Sequence, residues 1–394
     1  MKANQSIGIY IHVPFCIQKC LYCDFISFSK MKDDLIEAYF QALSRELSCY
    51  AEELAQYSVK SIFFGGGTPS SVNAKHIAGI MQQIKQMATL TKDAEITLEA
   101  NPGTLSQEKI NQYLASGINR VSLGLQTSDP KLLKTIGRIH NVNDFLTSYQ
   151  GLVEEGIDNI NVDIMFGLPG QSIEQLEHTI KFIGAVKPKH ISAYALKLEE
   201  GTPLFEAHRK GKITLPDEET ERAMYHTLQR ELTLLGYHQY EISNFALPHY
   251  ESRHNLIYWQ NTPYIGLGVS AHSKMHQTRY HNALSIDQYL EDYQVKANVI
   301  QKKAASLITY EAAYIDEKED LFETIMLGLR LTNGLDYQSL NDRYGIDFLD
   351  AYASEITSLS AEALIEVDQT KHNIRLTPLG MDVSNRVFVA FMKD

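Results

Sequence analysis

Cysteine is scarce in this chain: there are four thiols in 394 residues, three of them within residues 16–23, too close together for a disulfide framework without distorting so short a loop. Long apolar runs are missing as well. None approaches the roughly 18 uncharged apolar residues that a membrane span needs. The opening stretch MKANQSIGIYIHV enters a strand-like run without the apolar region and cleavage site of a secretory signal. Cations are in deficit, 36 Lys and Arg against 48 Asp and Glu, and the net charge of −12 repels nucleic acid and anionic membrane alike. These absences exclude a disulfide scaffold and a membrane-spanning protein. They set the expectation of a cytoplasmic protein whose clustered cysteines serve metal or redox chemistry.

What is present is a repeating pattern. Short runs rich in β-branched and aromatic residues recur as IGIYIHV (7–13), SIFFGG (61–66), EITLEA (95–100), RVSLGLQ (120–126), INVDIMFGL (160–168) and HISAYALK (190–197). Segments of helical periodicity separate them, such as Leu35, Ile36, Tyr39, Leu43, Leu47 and Leu54. Strands alternating with helices predict parallel βα units. Nearly every strand ends in polar or glycine-rich residues, including His12, Gly65 to Thr68, Glu99, Asn101, Gln126 and Asp163, as in a barrel with its site at the C-terminal ends of the strands. Six units rather than eight predict an incomplete (βα)6 TIM-like barrel over residues 1–240.

Beyond EEGTPL (199–204) a helical stretch, about Asp217 to Leu235, leads into an aromatic, histidine-rich and turn-rich connecting segment assigned to residues 241–307. Residues 308–394 read as three or four helices, two short strands within ALIEVDQTKHNIRLTPLG and a last helix, the order of a winged helix. Residues 309–394 carry 16 acidic and 7 basic side chains, a balance unsuited to displacing counterions from DNA. This C-terminal, mainly helical domain is therefore expected to serve packing or protein interaction, with no nucleic acid as partner.

Cys16, Cys20 and Cys23 pose the chemical question. A structural zinc site closes a tetrahedron with four ligands, and here His12 or Cys49 would have to complete it. Cys49 follows Leu47 on an amphipathic helix, where a buried core position is its default. Three clustered thiolates suit a [4Fe–4S] cluster with three irons held by protein and one left open. The spacing Cys16-x3-Cys20-x2-Cys23 just past the first strand resembles the signature of radical S-adenosylmethionine (SAM) proteins. That resemblance implies a [4Fe–4S] cluster with one non-cysteine iron chelated by SAM. It also implies that GGGTPS (65–70), with Gly66, Gly67 and Thr68, lines the methionyl group and that Glu99 accepts from its amine.

A narrower likeness follows from IYIHVPFC, GGGTP, LEANP, SLGLQ and DIMFGLPGQ, which together resemble oxygen-independent coproporphyrinogen III dehydrogenase. In that family Tyr10, Tyr22, Gln126, Arg138 and Asp163 match SAM-binding positions. Two departures stand out: Phe25 occupies the place of a further cysteine, and the N-terminal extension of the dehydrogenase is absent. In both respects the chain is similar to the HemW-type heme chaperones, relatives of the dehydrogenase. HNLIYW, containing His254, Asn255, Tyr258 and the single tryptophan, Trp259, matches their HNxxYW motif. An imidazole is a heme ligand and the aromatic pair offers flat apolar surface, although core packing and turn bonding explain the same residues. His238, His249, His272, Met275, His276 and His281 compete as ligands. The likeness implies heme as cargo, delivery to recipient hemoproteins including membrane respiratory enzymes, a homodimer and a peripheral membrane contact. The dehydrogenase activity, oxidative decarboxylation of propionates, is the enzymatic alternative.

Overall fold

The computed structural model describes residues 5–300 and 307–393. Six strands, β1 (Gln5–Val13), β2 (Tyr57–Gly66), β3 (Thr89–Ala100), β4 (Arg120–Gln126), β5 (Ile160–Phe166) and β6 (His190–Ala195), pair in parallel in chain order. Helices α1 (Asp33–Cys49), α2 (Ala74–Met87), α3 (Gln107–Ser116), α4 (Val142–Glu154) and α5 (Ile173–Val186) connect them. The period of two explains the layering. Along β1, Ile7, Ile9, Ile11 and Val13 share one core cluster with Tyr39, Leu43 and Leu47 of α1. The intervening Gly8, Tyr10 and His12 turn to the concave side. Helix starts are fixed by side-chain caps, including the reciprocal pairs Asn141 with Asp144 and Ser172 with Gln175.

The segment after β6 does more than connect. Helix α6 (Glu218–Leu234) is followed by a hairpin, β7 (His238–Glu241) and β8 (Asn244–Ala246), that extends the sheet beyond β6 in antiparallel fashion. The chain then crosses the N-terminal mouth of the barrel as α7 (Arg253–Trp259), the helix that carries HNLIYW. It emerges at the opposite edge as β9 (Tyr264–Leu267), which pairs in parallel with β1. Three antiparallel strands, β10 (His272–Met275), β11 (Thr278–His281) and β12 (Tyr310–Tyr314), complete an open twelve-stranded sheet. The fold is thus the expected incomplete barrel, with a seventh parallel strand that the periodicity did not show. Residues 310–314, expected in the C-terminal region, instead form the outer strand of the large sheet because β11 leaves an edge for them to pair with.

A second core lies in the C-terminal region, built on Ile325, Leu329, Phe348, Ile374 and Phe391. Its sheet, β13 (Leu335–Asp336), β15 (Asn373–Leu376) and β14 (Ile365–Asp368) in that spatial order, sits beside short helices in the expected winged-helix-like arrangement. Lys274 of β10 joins it to the barrel through Asp320 at 2.8 Å and Glu323 at 3.0 Å, all three buried. No helix among the described residues is long and apolar enough to cross a membrane.

Candidate functional site

The cysteine loop leaves β1 at the C-terminal mouth of the barrel and is tied down along its length. Phe15–Cys16 pairs in parallel with Phe28–Ser29, the Leu21 N–H donates to the Ile136 carbonyl at 3.1 Å, and Leu21 accepts from Leu204 at 2.9 Å. Lys19 Nζ donates to the Phe25 carbonyl at 2.8 Å. Beneath the loop, His12 Nε2 lies 2.8 Å from the Ile26 carbonyl, which only accepts, so Nε2 carries the proton. His12 Nδ1 then accepts from the Tyr10 hydroxyl at 3.0 Å. Burial holds the His12 imidazole below its ordinary pKa, in keeping with this neutral tautomer. Gly66, at φ +108°, is required here: a Cβ would lie 2.5 Å from the His12 ring.

The three thiols open into one cleft of about 530 Å³. Thr68 Oγ1 donates to Cys16 Sγ at 3.5 Å and itself accepts from Asn101 Nδ2 at 2.8 Å. Arg138 donates to Asn101 Oδ1 at 2.6 Å, to the Gly124 carbonyl at 2.8 Å and to Cys20 Sγ at 3.5 Å. A continuous arc of donors thus runs from the first cysteine to the second. Burial opposes the charge of Arg138, but Tyr22 and Cys20 beside it lift its pKa above the usual value. Burial pushes the Cys16 and Cys23 thiols up. Three soft donors facing one cavity, two of them already accepting hydrogen bonds at sulfur, fit an iron–sulfur cluster. The zinc alternative lacks its fourth ligand, since both His12 nitrogens are engaged and Cys49 Sγ donates to the Arg45 carbonyl at 3.3 Å.

The rest of the cleft is acidic and amphipathic. Glu99 accepts from the Gly66 N–H at 3.1 Å; burial, reinforced by Asp163, raises its carboxyl to about 8. Burial also raises Asp163, against hydrogen bonds from Ser122 at 2.9 Å and Asn161 at 2.7 Å. Phe25, Met165 and Leu196 give the outer wall its apolar surface, and Lys19 and Lys197 its cations.

Most of the residues singled out in the sequence therefore meet. Cys16, Cys20, Cys23 and Tyr22 line the cleft from the loop, and Gly66, Gly67 and Thr68 line it from β2. Glu99, Gln126, Arg138 and Asp163 complete it from the neighbouring strands and from the loop after β4. Tyr10 does not line the cavity; it lies one layer deeper and bonds His12, which in turn holds the Ile26 carbonyl just past the cysteine loop. Tyr194 and Ser122 line the cleft unanticipated, although their alternation with buried apolar residues along β6 and β4 marks them as inward-facing.

The HNLIYW residues, named as heme-binding candidates with core packing as the alternative, are elsewhere and none of the four lines the cleft. His254 is 1% exposed, with Nδ1 bonded to Ser61 Oγ at 2.8 Å and Nε2 to the Tyr258 hydroxyl at 2.9 Å. Burial, then Arg120, lowers its pKa to about 3. As placed, His254 has no nitrogen to offer an iron. Asn255 follows the Ser252 cap, Tyr258 packs edge-on against Tyr264, and the Trp259 ring lies 4.4 Å beneath the Arg330 guanidinium. The helix plugs the barrel because Gly8 leaves room for it: a Cβ there would meet Ile257 Cδ1 at 2.8 Å. Among the competing candidates, His238 pairs with Glu251, His276 with Glu53 and His281 with Glu311, and none of the six lines the cleft.

Comparisons with known proteins agree with this architecture. Residues 10–183 match the radical SAM superfamily, and residues 315–383 match the HemN C-terminal domain. The chain is 35% identical over 384 residues to the heme chaperone HemW of Bacillus subtilis, covering 97% of this chain and 98% of that one. It is 34% identical over 393 residues to the heme chaperone HemW of Lactococcus lactis, covering 100% and 98%. The structure of coproporphyrinogen III oxidase (HemN) from Escherichia coli superposes with a TM-score of 0.81 at 22% identity, over 98% of this chain and 90% of that one, a likeness of fold. With end-to-end identity to these relatives and a barrel that carries the three-cysteine loop at its open mouth, the chain belongs to the HemW family of the radical SAM superfamily.

Proposed function

We propose that this protein is a heme chaperone, binding heme and passing it to hemoproteins from a scaffold that holds a [4Fe–4S] cluster and SAM. The observation that carries the reading is the end-to-end match to HemW relatives together with Phe25, 64% exposed on the cleft wall where the dehydrogenase has a further cysteine. Cys16, Cys20 and Cys23 would hold the cluster, leaving one iron without a cysteine. When bound, the cluster and SAM supply one-electron chemistry at the sulfonium. The remaining roles belong to the chain's own groups. Ionised Glu99 would accept from an ammonium, the Gly66 to Thr68 backbone would meet a carboxylate beside it, and the arc from Thr68 to Arg138 would hold the cysteine sulfurs in place. Respiratory membrane enzymes as recipients, a homodimer and a peripheral membrane contact belong to the same proposal. The test is a heme titration of the anaerobically reconstituted protein followed by gel filtration. About one heme retained per chain, with a discrete ligand spectrum, is expected; no retained heme with an intact cluster would overturn the reading.

Gln126, Arg138 and Asp163 in the cleft favour a second reading, oxidative decarboxylation of coproporphyrinogen III propionates. Conversion of that porphyrinogen by the reduced, SAM-loaded protein would establish it.

A further inference from the structure

On the outer face of the barrel, α1 and α2 lie side by side with a groove of about 480 Å³ between them. Its floor is apolar, formed by Phe40 and Ile80, and Arg45 and Lys75 stand along its rims. Gln83 closes one end, bonded to Ser44 Oγ at 2.7 Å and to the Ser44 carbonyl at 2.8 Å. Within the groove the His76 ring stacks on Phe40, with centroids 4.5 Å apart and 12° between the planes. Phe40 thus fixes the plane of the imidazole and leaves its edge exposed. Among the described residues neither His76 nitrogen has a hydrogen-bond partner, in contrast to His12, His190 and His254. Burial lowers the His76 pKa, so the ring is neutral and a lone pair is available.

Gly79, one turn further along α2, lines the same groove, and a Cβ there would meet no atom within 4 Å, so a larger side chain at this position would occupy the groove without disturbing the chain.

We infer that this groove seats an iron porphyrin, with His76 as axial ligand and Arg45 and Lys75 meeting the propionates. The inference rests on the heme reading above and gives it a location outside the cleft. Lys75 now pairs with Glu37 at 3.3 Å, and both side chains are largely exposed, so the lysine exchanges partners at little cost. An open groove that covers one face of the ring suits a cargo that must be handed on.

The experiment compares hemin binding by the full-length protein with binding by His76→Ala and Gly79→Leu, through the Soret band and the affinity. His76→Ala is expected to lose about tenfold or more in affinity and its histidine-ligated spectrum. Gly79→Leu fills the groove while favouring the helix, so affinity should fall as Tm holds or rises, which separates blocking from misfolding. If the unaltered protein binds no hemin, the heme reading fails and the seat with it. If it binds hemin and both variants keep the same Soret position and affinity, the seat is refuted and the heme reading stands.

Discussion

The two mouths of this barrel are built from the same strands and similar residues, yet they have opposite fates. At the C-terminal mouth, Glu99, Asp163 and Arg138 face a cavity, and the carboxyls sit above their ordinary pKa values. At the N-terminal mouth, four residues earlier on β3, Glu95 is 5% exposed and spends its oxygens on α7: it accepts from Ser252 Oγ at 3.3 Å and from the backbone N–H groups of Arg253 and His254, both at 3.1 Å. Arg120, 2% exposed, lies 3.8 Å from the same carboxylate. His190 is closed off in the same way, bonded to Asn161 Oδ1 at 2.6 Å and to the Tyr240 hydroxyl at 2.8 Å. Inward-facing polarity alone therefore does not make a site. What separates the two ends is that α7 closes over one while the other opens into the cleft that the three cysteines share.

Breaking that contrast gives its tests. The largest effect should come from Cys16→Ala, Cys20→Ala and Cys23→Ala together: reconstituted protein should carry essentially no iron or sulfide, and retention of both would remove the cluster assignment. Next is Glu95→Ala, which leaves Arg120 buried without its counter-charge and uncaps α7. A loss of about 3–5 kcal/mol in denaturant unfolding is expected, and a loss under ~1 kcal/mol would mean that the sealed end is not held electrostatically.

At the open end, Glu99→Gln should act in the reverse sense on stability. Because the folded-state pKa of Glu99 is raised to about 8, the wild-type carboxyl stays protonated on folding and stability falls as pH climbs from the unfolded value through 8. The variant should therefore match wild type at acid pH and exceed it in Tm at pH 9, while binding an ammonium-bearing ligand more weakly. Wild-type affinity for such a ligand should rise over the same window, and a flat pH profile would place the proton elsewhere. The smallest effect is Ser61→Ala, which removes one partner of His254. About 1–2 kcal/mol of stability should go with no change in the heme spectrum, and a spectral shift would return His254 to the list of ligands.

The contrast also shows what the sequence could reveal. The cysteine loop, GGGTPS and the polar strand ends were legible because each is local: a few consecutive residues define the loop, and strand polarity defines the mouth to which it belongs. The inward alternation of Glu95, Thr97 and Glu99 on β3 was equally visible, but nothing local distinguishes the member that meets α7 from the one that meets the cleft. That depends on where a helix more than 150 positions later comes to rest, just as β9 is recognisable as a parallel strand only once β1 offers it an edge. The place of HNLIYW was hidden for the same reason. Its residue types suit a porphyrin, and only the tertiary path shows them filling the base of the barrel.

That path has a consequence for biosynthesis. β1 carries the residues just before the cysteine loop, and its second neighbour is β9, with Gly8 opposite Tyr264. A ribosome delivers these partners far apart in time, and pairing at such separation is slow. Until residues through Leu267 have emerged, the base of the barrel lacks its plug and one edge of β1 remains bare. The nascent protein thus passes through a stage in which the cysteine loop and the strands that surround the cleft already exist, while the far end of the barrel is still open and one edge of β1 is unpaired.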